Sequence, residues 1–447
     1  MKSAKRFFLP LVVLGVAATP LGAAAAGNGG AVEQAVHAIE QRMNKMEQRH
    51  QREMEGLRKQ IKELRKRQDE SAREPREREP VVEEEPALLP PPPASTTPMQ
   101  RASAFNPAVT VFGNFLGRTD DHRVTNEAGD TISDRLRLRE AELDFRAAID
   151  PWADGVLIAS LESGAAGNFD ATVEEGYVVL KKIPGTQVAP AGLKLKVGRF
   201  RTDFGRMNKL HTHDLPWPTR PRTLQTFLGE DGLIGDGADA EFFLPTPGDD
   251  NVLTAHLSIM NGGGTAVDGA NSGENPAYLA HLGWFFDLGG GQDLELGGSA
   301  YRAKADRAGR LDAGLYGLDL TYKWKPFHTG QWHSFIFGAE LLAADIDQSG
   351  GGTVSPVGYY GWAQYQLGHN TYFGLRYDDT QSVTDADLNT ETFAAFLTYY
   401  TTEFLRLRLG FQHSESDLAE LDGLDTGLFE LNFVFGSHAV EPYWVNQ

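Results

Sequence analysis

Arg135, Arg137 and Arg139 alternate with Leu136 and Leu138. In an extended chain successive side chains point to opposite faces, so the three guanidinium groups share one side and the leucines the other. The alternation changes phase at Arg139–Glu140. Beyond it Ala141, Leu143, Phe145 and Ala147 carry the apolar face, and Glu140, Glu142, Asp144 and Arg146 fall opposite. One extra residue in a strand produces such a change, so a β-bulge is expected there. Lys194 and Lys196 lie opposite Leu193, Leu195 and Val197, and Arg406 and Arg408 lie opposite Leu405, Leu407 and Leu409. If this polar face lines an aqueous lumen, these residues are the pore-lining set, and their mixed sign sets a field across a constriction. The plainer reading is that they satisfy a solvated wall, as any such lumen requires.

Two further signals could carry chemistry. His211 and His213 are two residues apart, which on a strand places both imidazoles on one face and suits a metal. No third ligand stands near them in the sequence, so they read as polar loop residues and no metal site is expected. Trp217, held between Pro216 and Pro218, reads as a rigid loop that could pack inside a barrel as a constriction segment. The chain has no nucleophile elbow, zinc-protease helix, phosphate-binding glycine loop or calcium-binding loop, so no enzymatic activity is expected. It also has no cysteine, which excludes disulfides, thiolate metal sites, lipoprotein anchoring and covalently attached haem. No cofactor is expected.

The elements that would position these residues are short alternating segments. Leu405, Leu407, Leu409 and Phe411 alternate with Arg406, Arg408, Gly410 and Gln412, and Phe429, Leu431, Phe433 and Phe435 repeat the pattern. Soluble sandwiches alternate in the same way, and the N-terminus decides between the two. Lys2, Lys5 and Arg6, an apolar stretch from Phe7 to Val16, and Ala24–Ala26 make a signal peptide over residues 1–26. No later stretch approaches about 18 consecutive apolar residues, so no membrane-spanning helix is expected. The fold class expected is therefore all-β: a transmembrane antiparallel β-barrel over 105–447. At roughly 20 to 22 residues per strand and turn this gives about 16 strands, an even number as bacterial barrels require. Candidate strands run from Val109–Leu116 through Glu175–Leu180 and Thr371–Tyr377 to Leu428–Phe435. The stretches 262–275 and 415–427 look like extracellular loops, as do Asp120–Asp121 and Asp378–Asp379. Phe435 reads as the strand end.

Ahead of the barrel, Val32, Val36, Ile39, Met43, Met46, His50, Met54, Leu57, Ile61 and Leu64 step by fours and threes. That is a coiled-coil seam over 31–70, with a stutter at His50. Residues 71–104 form a charged, Pro-rich linker. The first 104 residues carry 17 basic and 14 acidic side chains, against 25 and 47 in the rest.

Three stretches resemble the phosphate-selective porin O and P family. They are Arg135–Arg146; the run Leu195-Lys-Val-Gly-Arg-Phe-Arg-Thr-Asp-Phe-Gly205; and Arg220-Pro221 followed by Gly229–Gly235 and Asp239–Glu241. The resemblance covers the barrel region and implies a trimeric 16-stranded barrel with an internal constriction loop. The acidic balance weighs against a funnel for anions, which wants basic groups at and above the constriction. The function expected is passive passage of small hydrophilic solutes or anions, with phosphate among the candidates, through the outer membrane of a Gram-negative cell. The expected partners are two further copies in a homotrimer, outer-membrane lipids, lipopolysaccharide, and peptidoglycan at the periplasmic coil. No nucleic acid is expected. The alternative makes the barrel an anchor and the coil a tether to the cell wall.

Overall fold

A computed structural model describes residues 108–124, 135–163, 169–182, 189–248 and 250–436. The signal peptide, coiled coil, linker and final tail expected from the sequence lie outside the described residues. Among the described residues sixteen long strands and one two-residue strand form a single sheet in which every neighbour is antiparallel. The first strand, β1 (Ala108–Asp120), pairs on one edge with β2 (Arg135–Asp150) and on the other with the last, β17 (Leu424–Gly436). The sheet is thus a closed barrel with no free edge, so every strand finds its backbone partners within the wall. The two-residue strand, β12 (Thr353–Val354), only lengthens the end of β11 (Phe335–Asp347).

Alternation sets the two faces. Along β11, Ile336, Glu340, Leu342, Ala344 and Ile346 are buried inside, while Phe337 and Leu341 are exposed outside. The same parity turns Leu136, Leu257, Leu318, Leu409 and Phe429 outward, all exposed. An apolar outer belt on a closed barrel is the surface a bilayer covers. Aromatic side chains lie on that outer face near both ends of the strands, Tyr278, Tyr359 and Tyr377 at one end and Trp284, Tyr365 and Tyr399 at the other.

The connections are unequal. At one end they include two-residue turns after β8 (Pro276–Gly289), β13 (Val357–Gly368) and β15 (Asn389–Thr402). At the other they are longer, and one, residues 202–233, joins β5 (Lys194–Arg201) to β6 (Ile234–Leu244). This segment folds into the barrel. Phe204, Met207, Leu210, Leu215, Trp217, Leu224, Phe227 and Leu228 are buried in one apolar cluster with inward residues of the wall, among them Leu279, Tyr301, Leu315, Tyr360, Trp362 and Phe396. A short helix, α1 (Arg222–Leu228), ends at Gly229, whose φ of 98° suits glycine. Gly205 has φ 63°, and a Cβ there would stand 2.6 Å from Glu340 Oε2, so only glycine lets the segment enter against the wall.

The strands run past the apolar alternation that announces them. Strand β4 (Phe169–Leu180) begins ahead of Glu175, and β14 (Thr371–Gln381) continues beyond Tyr377. Asp378 and Asp379 are therefore on a strand, which corrects their reading as loop acids. Asp378 faces inward, fully buried, with Arg376 Nε donating to its Oδ2 at 2.7 Å. Asp120 likewise ends β1 and accepts from Arg118.

Candidate functional site: the lumen and its inserted segment

An irregular segment inside a barrel brings backbone N–H and C=O groups that need partners away from bulk water. Charged wall residues supply them. Arg139 Nη1 donates to Pro218 O at 2.6 Å, Arg376 Nη1 to Thr219 O at 2.6 Å, Arg406 Nη2 to His213 O at 2.6 Å and Arg408 Nη2 to Leu215 O at 3.0 Å. Glu340 Oε1 accepts the N–H groups of Arg206 and Met207, and Asp378 Oδ1 accepts that of Arg222. Behind the arginines, Glu430 of β17 pairs with Arg139, Arg406 and Arg408 and accepts from Asn114 at 2.6 Å. Trp217 is the apolar centre of the same seat. Its ring meets Trp362, Tyr360 and Phe396 edge-on at centroid distances of 5.0, 6.1 and 6.5 Å, and the Arg376 guanidinium lies 5.4 Å from it. Edge-on pairs are the favoured aromatic geometry.

Arg406 and Arg408 do face inward, but each is 1 % exposed. They hold the segment and Glu430 and do not border open space, which corrects their reading as lumen-facing charges. Glu142, also 1 % exposed, and Asp144 are buried too, while Glu140, though buried, borders a cavity at the long-loop end. The strand pairing skips Arg139 between Glu140 and Leu138, so the bulge falls where the change of phase placed it.

Two charged cavities flank the segment among the described residues. One, of about 310 Å³, lies towards the long-loop end, with Arg118, Arg137, Arg139, Glu140, Glu162, Glu174, Arg201, Glu230 and Asp231 in its lining. Arg118 is paired with Arg135 across β1 and β2, and Arg137 follows two residues on, so this wall carries a patch of four arginines with Arg139. The acids oppose it from β3 (Ala153–Ser163), β4 and the inserted segment. The other cavity, of about 350 Å³, lies towards the short-turn end and is lined by Lys196, Asp203, Arg206, Lys209, Glu241, His256, Glu295 and Asp319 among others. Lys194 pairs with Glu241 at 2.9 Å and Arg146 with Asp144 at 2.9 Å, both near this end of their strands. Neither cavity carries a wall of one sign.

The segment between the cavities holds His211 and His213. Consecutive residues on a strand ordinarily face opposite ways, yet Glu174 and Glu175 are both buried inside. The β3–β4 register skips Glu174, and this bulge turns both carboxylates inward. His211 Nε2 lies 2.8 Å from Glu175 Oε1, and His211 Nδ1 lies 3.0 Å from both Glu142 Oε2 and Glu174 Oε2. His213 Nδ1 is 3.7 Å from Glu140 Oε1 and Glu142 Oε2, and its ring stacks on Phe112 at 4.4 Å. Burial, and for His211 the nearby Arg201, push these imidazoles towards neutrality. The carboxylates prevail: His211 is raised well above the usual histidine range, and His213 to about 9 by Asp214, Glu142 and Glu140. Burial, with Arg201 beside it, pulls the Arg220 guanidinium down to about 10. The sequence shows the two histidines but not these carboxylates, which come from β2 and β4.

The chain matches no protein-family model. An uncharacterized protein of Aquifex aeolicus is 27 % identical to it over 349 residues, 69 % of this chain and 70 % of that one. Among solved structures, an anion-selective porin from Comamonas acidovorans covers 74 % of this chain and 100 % of its own at 15 % identity and a TM-score of 0.49. Pseudomonas putida OprB covers 74 % and 94 % at 12 % identity and 0.49. The outer membrane channel DcaP of Acinetobacter baumannii covers 74 % and 98 % at 12 % identity and 0.48. These are distant likenesses of fold, and the barrel stands on its own strand pairing.

Proposed function

We propose that this chain is an outer-membrane porin, a passive channel for small hydrophilic solutes whose bore is narrowed by residues 202–233. The observation that carries this reading is a closed barrel, apolar outside, with charged cavities on both sides of a segment folded into its lumen. Soluble carriers have no use for such an outer belt, and a barrel with a dry core has no use for charged cavities. Short turns face the periplasm and long loops the exterior in bacterial barrels, so β1 would enter from the periplasmic side. That orientation suits the signal peptide and periplasmic coil expected from the sequence. A trimer follows the same reading.

Selectivity would be weak, because arginines on β1 and β2 face acids across the loop-end cavity. The patch of Arg118, Arg135, Arg137 and Arg139 is where an anion, phosphate included, would dwell. Single-channel conductance and reversal potential in asymmetric salt test the proposal. Discrete steps from folded, detergent-purified protein support it, and silent bilayers overturn it. Silence would favour a second reading, a plugged barrel anchoring a cell-wall tether, which draws on the sealed arginines at Glu430.

A further inference from the structure

We propose that Glu142, Glu174 and His211, with His213 and Glu140 beside them, form a binding site for one divalent transition-metal cation of the zinc class. The reading does not depend on whether solutes pass through the barrel.

The spacing is that of a metal cage. His211 Nδ1 stands 3.0 Å from two carboxylate oxygens, and His213 Nδ1 stands 3.7 Å from one of the same oxygens, Glu142 Oε2. Ligands about 2.0–2.1 Å from a tetrahedral zinc are about 3.3 Å from each other. The orientation of the ring points the same way. His211 Nε2 is engaged with Glu175 Oε1 at 2.8 Å, which leaves Nδ1 as the atom turned towards Glu142 and Glu174. His211 Nδ1, His213 Nδ1 and Glu142 Oε2 are all buried with no hydrogen-bond partner among the described residues. His213 and Glu142 are each 1 % exposed.

Charge and outer contacts agree. The carboxylates of Glu140, Glu142, Glu174 and Glu175 converge on two imidazoles, and Arg201, which contacts Glu174, offsets one of them. A dication restores most of the remaining balance. A metal-ligating histidine ordinarily donates its other N–H to a carboxylate, the role Glu175 takes here. The proton is the rival occupant, since without metal the same carboxylates hold both imidazoles in their charged form. The cation would join β2, β4 and the inserted segment at one point.

The test uses the full chain in detergent, stripped with a chelator and titrated with Co²⁺ by visible absorption and with Zn²⁺ by calorimetry. One equivalent should bind per chain. Glu142→Gln, close to isosteric, and the double variant His211→Gln with His213→Gln should abolish that equivalent. Glu175→Gln should weaken it about 10–100-fold, while His256→Gln, at a separate Asp203–Asp239–His256 group, should leave it unchanged. Absence of saturable binding, or binding that survives in folded Glu142→Gln, overturns the site. If the variants do not fold, X-ray absorption of the zinc-loaded native chain decides: a first shell of oxygen and imidazole nitrogen supports the site, and one without imidazole overturns it.

Discussion

Replacing Trp217 with alanine should unseat the inserted segment while leaving the barrel closed. Trp217 is fully buried and makes three edge-on aromatic contacts and one guanidinium contact, all with wall residues. Truncating a buried tryptophan costs about 3–5 kcal/mol. Its partners meet it through their side chains while their backbones stay in the strand ladders, so the loss falls on the seat. At about 1.4 kcal/mol per tenfold, the unseated population should rise roughly a hundred- to a few-thousandfold. Trypsin reads that population, since cleavage of an opened segment follows the opening equilibrium when reclosing is fast. Its sites are inside the segment, at Arg206, Lys209 and Arg222. Cleavage there should accelerate by that factor, while heat-modifiable migration on gels shows the barrel intact. The lipid-facing change Leu409→Ala should leave cleavage at the native rate. Native-rate cleavage in a folded Trp217→Ala protein would refute the idea that this residue anchors the segment.

Glu430→Gln leaves three guanidinium groups facing one another without their shared carboxylate. Its cost should be about 3–5 kcal/mol, measured as a lower urea midpoint, and larger than that of Arg139→Gln. Reversing Arg135 and Arg137 to glutamate should shift the reversal potential towards cations at low salt and less so at 1 M, where screening is strong. An unmoved potential would take the pair off the conduction path. Gly338→Ala places a Cβ 2.4 Å from Trp362 Nε1, the ring that abuts Trp217. Overpacking of about 1–3 kcal/mol should appear as faster cleavage in the segment, and unchanged cleavage would show that Trp362 yields freely.

The wall was legible in the sequence because a strand has one simple period. The segments read at Val109–Leu116, Glu175–Leu180, Thr371–Tyr377 and Leu428–Phe435 each lie within one long strand, and the inward side of Arg135, Glu142 and Arg406 follows from parity alone. The loop-end halves of strands were not legible. Asp378 and Phe169 lie where the wall continues beyond the apolar belt, so alternation no longer marks them. What the inward residues touch was also beyond the sequence. Trp217 between two prolines suggested a lumen segment, but Arg406 reads the same whether it faces solvent or the His213 carbonyl. The acids around His211 escaped for a further reason. Glu174 and Glu175 are adjacent, and only a bulge makes neighbours on a strand face one way.

The order in which the chain is made gives the inserted segment a history. Its carbonyls at His213, Leu215 and Thr219 wait for donors 193, 193 and 157 residues further on, at Arg406, Arg408 and Arg376. Contacts so distant along the chain form late, after the loop-closure entropy of everything between them has been met. During assembly the early strands therefore hold the segment only through Arg139 and the carboxylates around His211, and β17 supplies its last partner, Asn432 on the His213 carbonyl. A chain interrupted before β16 (Leu405–Ser416) would lose more than two strands of wall, because it would also lack Arg406 and Arg408, which hold the His213 and Leu215 carbonyls.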